Sequence, residues 1–151
     1  MEDLKGELTM ANYNCAIRTN YFRVKDADKF KAFMSDVYGS EDEIEVFEET
    51  DKDGVTRYGF GCYGGISGVC SMDEDCEDSS YDLFIEGLQQ CVADDDAIII
   101  LESGNEKLRY LVGSAEVITS KEYRYMRIED FAISEAAKML NNPKFTTEVA
   151  Y

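Results

Sequence analysis

The chain has 151 residues, of which 32 are Asp or Glu against 15 Lys or Arg, with no histidine and a net charge of −17. A field of that sign repels nucleic acid and anionic membranes, and the missing imidazole removes the usual base for a Ser or Cys nucleophile. With 44 % apolar residues and the length of one domain, the chain can still build a core, so its charge does not imply disorder.

Residues 1–9, MEDLKGELT, precede a second methionine, Met10. The purine-rich codons available to Lys5-Gly6-Glu7 suit a ribosome-binding site ahead of Met10. Residues 1–9 are therefore expected to be a leader or disordered tail, and 10–151 a single α+β domain. From Tyr13 to Val24 the odd positions Tyr13, Cys15, Ile17, Thr19 and Tyr21 alternate with more polar ones, which predicts a strand. Asp26 or Asp28 then caps a helix whose apolar face is Phe30, Phe33, Met34 and Val37, and Gly39 ends it.

Residues 43–49 and 55–63 form a predicted antiparallel hairpin around the turn Asp51-Lys52-Asp53-Gly54. That turn is not a calcium loop. With Gly54 at the sixth position the twelfth is Phe60, where a glutamate is needed. Gly59-Phe60-Gly61-Cys62-Tyr63-Gly64 matches the dinucleotide fingerprint by spacing. It lies within a strand and leads to an acidic loop at 73–78, so the glycines are read as places where another backbone comes close. Tyr58, Phe60 and Cys62 are expected to pack under a helix rather than stack on bases.

Ser79 or Ser80 caps a second helix with Tyr81, Phe84, Ile85, Leu88 and Val92 inward. The run Ala97–Leu101 reads as a central strand, Gly104-Asn105 as a turn, and Lys107–Ile118 as its hairpin partner. A short strand at Tyr123–Ile128 precedes a third helix, Glu129–Leu140, with Phe131, Ala132, Ala136, Met139 and Leu140 inward and a stop at Asn141-Asn142-Pro143. The first six elements give the order β-α-β-β-α-β. The expected fold is α+β: a ferredoxin-like split βαβ antiparallel sheet with helices on one face, extended by a further hairpin strand and a C-terminal helix.

Five cysteines, an odd number, and no secretory or membrane-spanning run point to a reduced, cytoplasmic protein. The gaps among Cys62, Cys70, Cys76 and Cys91 fit no familiar zinc framework, so no metal or other cofactor is expected.

Charge is the strongest functional signal. Residues 41–96 hold 18 acids against only Lys52 and Arg57, whereas 106–151 hold seven of each. The acids form three clusters: Glu41, Asp42, Glu43, Glu45, Glu48 and Glu49; Asp73, Glu74, Asp75, Glu77 and Asp78; and Asp94, Asp95 and Asp96. Glu43 and Glu45 stand two apart on a strand, so their carboxylates share a face roughly 7 Å apart, a spacing like that of phosphates along DNA. These fourteen residues are the expected partner-binding set, for a basic protein surface rather than nucleic acid or a membrane.

The runs MANYNCAIRTNYFRVKD, VYGSED, GFGCYGGISG and DDDAIIILESGNEKLRYL resemble small acidic accessory proteins of Gram-positive conjugative elements and prophages. The resemblance spans about Met10 to Pro143. That pool includes anti-CRISPR and anti-restriction inhibitors, several of them DNA mimics. The resemblance therefore implies a non-enzymatic anti-defence inhibitor, first of all of a type II RNA-guided nuclease. The alternatives are an anti-restriction DNA mimic and a small-molecule or nucleotide-binding module using the glycine-rich strand.

Overall fold

The structure, a computed structural model, describes residues 13–70 and 79–149. It is an α+β arrangement of a six-stranded antiparallel sheet, a three-stranded antiparallel sheet and three helices. The strands are β1 (Tyr13–Thr19), β2 (Val37–Gly39), β3 (Glu45–Thr50), β4 (Thr56–Tyr63), β5 (Ile66–Cys70), β6 (Ser79–Ser80), β7 (Ile98–Glu106), β8 (Tyr110–Ile118) and β9 (Tyr123–Arg127). The helices are α1 (Ala27–Met34), α2 (Tyr81–Cys91) and α3 (Ile128–Met139). The large sheet runs β3-β4-β1-β7-β8-β9 and the small one β2-β5-β6.

Local chemistry accounts for the helix starts. Asp26 accepts from the backbone N–H of Asp28 and Lys29, and Ser80 accepts from that of Leu83, so each satisfies donors that the first helical turn leaves open. Alternation along the large sheet then divides its faces. Ile17, Tyr58, Phe60, Cys62, Ile98, Ile100 and Ile118 point to one side, under α1 and α2, and are buried. Phe22 packs edge-on to Phe30 and Phe60, and Phe60 meets Phe84, so aromatic contacts tie strand, loop and both helices together.

Gly59 and Gly61 occupy the opposite face of β4. A Cβ on Gly61 would stand 2.6 Å from the Ile17 carbonyl oxygen, so the close backbone approach expected of the glycine-rich strand is present.

Several sequence expectations are corrected. The first helix ends at Met34, not Gly39; residues 37–39 instead pair with 66–69, a strand hidden in the glycine-rich tail. Gly104-Asn105 is not a turn. β7 continues through it because β1 pairs along its full length, and a Cβ at Gly104 would meet the Asn14 carbonyl at 2.6 Å. The chain turns instead at 107–109, with Lys107 at φ 51.

α3 departs most. Its expected inward residues Phe131, Met139 and Leu140 are exposed, and none of its residues is buried. Nor does it join α1 and α2: Ile128, at its start, sits 3.0 Å from where a Gly113 Cβ would be, on the opposite face of the sheet. Thus α1 and α2 share one face of the large sheet, as expected of the first six elements, and the C-terminal helix lies on the other.

Candidate functional site

The acidic residues separate into groups with different partners. β3 is an edge strand, bonded only to β4 within the sheet. Register places Glu45 opposite Gly61 and Glu49 opposite Arg57, with Phe47 between them, on the face turned away from α1 and α2. Glu48 points to the helix side, where Lys31 Nζ lies 3.4 Å from its carboxylate. That bond also raises the Lys31 pKa.

Glu41, Asp42 and Glu43 are exposed in the loop that leads from β2 into β3, and the Glu41 side chain lies against Gly64. Among the described residues, Glu41, Asp42, Glu43, Glu45 and Glu49 have no cation within ion-pair distance. They are gathered on one edge.

Asp94, Asp95 and Asp96 differ in both place and state. Lys25 holds Asp94 at 3.2 Å and depresses its carboxyl pKa, and Arg23 bonds Asp95 at 2.9 Å. Asp96 accepts from the Arg23 backbone N–H at 2.9 Å and lies 3.4 Å from its guanidinium. The triplet therefore fastens the turn before β7 to the segment after β1.

It also sits at the far end of the sheet from Glu41. Gly64, which Glu41 touches, bonds to the Cys15 carbonyl, whereas the Ala97 carbonyl beside Asp96 is bonded by Asn20. Cys15 and Thr19 are about 13 Å apart along the strand. Asp94–Asp96 and Glu41 therefore stand at opposite ends of β1. Asp73, Glu74, Asp75, Glu77 and Asp78 lie outside the described residues.

Arg18 borders the acidic edge on the open face. Its side chain crosses Gly61 and its guanidinium stands 4.4 Å from the Phe47 ring centre. Gly61, with no side chain on this face, leaves room for that crossing. Beyond Arg18 the face becomes apolar, with a shallow cavity of about 590 Å³ lined by Ala16, Leu101, Ala115, Met126, Ile128 and Phe131 among others.

On the helix side, a cluster that sequence reading missed is built on Glu102 and Glu116. Tyr13 Oη donates to Glu102 at 2.8 Å, and Tyr81 and Tyr123 donate to the two oxygens of Glu116 at 2.6 and 2.5 Å. Burial first, and the adjoining carboxylate second, raise all three phenol pKa values well above normal. The signal was present as lone glutamates inside the apolar runs around 98–102 and 115–118.

Cys15, Cys62 and Cys91 are free thiols, and burial pushes each upward, Cys62 to about 11. They are protonated at neutral pH and poor nucleophiles. Cys70 is disulfide-bonded, which corrects the expectation that every thiol is reduced. Among the described residues no cluster of three or more Cys, Asp or Glu is placed to hold a metal ion. No helix among them is long and apolar enough to cross a membrane.

No family model matches the chain, and neither a curated protein nor a solved structure matches it.

Proposed function

We propose that this chain is a non-enzymatic inhibitor that docks on a cationic protein groove built for nucleic acid. The carrying observation is the edge formed by Glu41, Asp42, Glu43, Glu45 and Glu49, exposed and in no ion pair among the described residues. Carboxylates that spend no charge internally are free to pair with Lys and Arg across an interface, which gives fast, selective association. The target class that best suits an element-borne acidic protein is an RNA-guided nuclease of type II, whose channel must be positively charged to hold nucleic acid. A restriction enzyme is the second choice. In this reading the protein works in the cytoplasm, and the order β3-β4-β1-β7 serves as a split βαβ platform for its acidic edge.

The test is inhibition of DNA cleavage by a panel of such nucleases. Replacing Glu43, Glu45 and Glu49 with Lys should abolish inhibition, and inhibition by the unaltered protein should weaken steeply with added salt. Asp94→Asn with Asp95→Asn should leave inhibition intact, since those carboxylates are already paired. Equal inhibition by the triple Lys variant would remove this edge from the reading.

A further inference from the structure

The open face of the large sheet is left uncovered where it is most apolar. Leu101 is 55 % exposed and Phe131 66 %, and Met139 on the last turn of α3 is 85 % exposed. Met126 and Ile128 stand between them, and no α3 residue is buried. A contiguous patch of this kind is rare on a monomer. A helix that buries none of its apolar residues draws little stability from its own chain. From this we infer that the face formed by β7, β8, β9 and α3 is a two-fold interface with a second copy of this chain.

Three observations select a second copy as the occupant. The first is charge. Each copy carries −17, so two copies can approach only through a surface that lacks that charge. Residues 106–151 are neutral, and the charges of α3 are paired within it or beside it, Arg127 with Glu129 at 2.7 Å and Lys138 with Glu135 at 3.1 Å. The acidic strand β3 lies at the other edge of the sheet from β9, so this contact keeps both acidic edges apart and outward.

The second is shape. The face holds a cavity that includes the small residues Ala16 and Ala115 and has Phe131 of α3 in its wall, and Met139 protrudes from the last turn of the same helix. An isologous contact needs the receiving surface and the inserting group on the same chain, and both are here.

The third is size. Three strands about 4.8 Å apart, with nine residues at about 3.4 Å each along β7, cover roughly 14 by 30 Å, and the twelve residues of α3 lie over part of that area. This is roughly half of the 800 Å² per partner of a standard interface, which suits a weak, micromolar association.

Sedimentation velocity of the full chain tests the inference. A species of twice 17.1 kDa should form at micromolar concentration. Its dissociation constant should fall as the ionic strength rises from about 0.01 to about 1 M, because screening removes the repulsion between copies. Leu101→Asp and Phe131→Asp should each raise that constant by about 30-fold or more. Both side chains are exposed, so far-UV circular dichroism and the thermal midpoint of a dilute sample should hold. A monomer throughout both salt conditions up to about 100 µM overturns the inference, as does a dimer indifferent to both substitutions. Docking on a basic partner weakens with salt while self-association strengthens, so failure of one is distinct from failure of the other.

Discussion

Glu116 accepts from two phenols at once, one on α2 and one on β9, and so links a helix and an edge strand to β8 through a single carboxylate. Keeping Tyr13, Tyr81, Tyr123 and Cys62 protonated has a consequence for pH. Below about pH 9 these groups hold their protons in both folded and unfolded chains, so their contribution is constant. Above pH 9–10 the unfolded chain releases protons that the folded chain retains. The unfolded state then binds fewer protons, and stability falls as pH rises. Urea denaturation should therefore show a plateau near neutrality and a progressive loss through pH 10 to 11. Tyr81→Phe should cost about 1 kcal/mol at pH 7 and flatten that alkaline limb. An unchanged limb would assign it to other groups.

Among elements, the small sheet β2-β5-β6 depends most on one residue. Gly68 has φ 128, and a Cβ there would meet the Ser80 carbonyl oxygen at 2.3 Å. Gly68→Ala therefore combines backbone strain with a collision against the residue that caps α2, and should cost about 3 kcal/mol or more. Gly54→Ala is the comparison. Its φ of 83 carries strain, but nothing stands within 4 Å, so about 1 kcal/mol is expected. Comparable losses at both sites in chemical denaturation would show that close approach at Gly68 is not the controlling factor.

This contrast also shows how far local reading reaches. The caps, narrowed to Asp26 or Asp28 and to Ser79 or Ser80, and most of the inward faces of α1 and α2 follow from spacing that needs no partner to recognise. The pairing of 37–39 with 66–69 does not, because three residues carry no periodicity and the match is made only across the fold.

Across the whole molecule, like charge opposes folding. With 32 acids and 15 bases, repulsion exceeds the attraction of surface pairs such as Lys25–Asp94, which are individually weak. Sodium chloride should thus raise the thermal midpoint, with most of the gain complete near 0.5 M, where the Debye length is only about 4 Å. A midpoint that falls with chloride would mean that the ion pairs of Arg23, Lys25, Arg57 and Arg127 outweigh the net field.

The division between local and global information follows from range. Hydrophobic period, capping chemistry and the imbalance of charge between 41–96 and 106–151 are properties of neighbouring residues, and they were legible before any contact was known. Whether a carboxylate is free or spent is not local. Asp94–Asp96 and Glu41–Glu49 read alike as acidic clusters, yet Arg23 and Lys25 reach only the first. The same holds for apolar residues: Phe131 and Phe84 obey the same helical period, but α2 packs beside α1 on the core face of the large sheet and α3 lies on its open face. Only the folded chain separates the edge of Glu41, Asp42, Glu43, Glu45 and Glu49, which form no ion pair among the described residues, from an apolar face that no other part of the described chain covers.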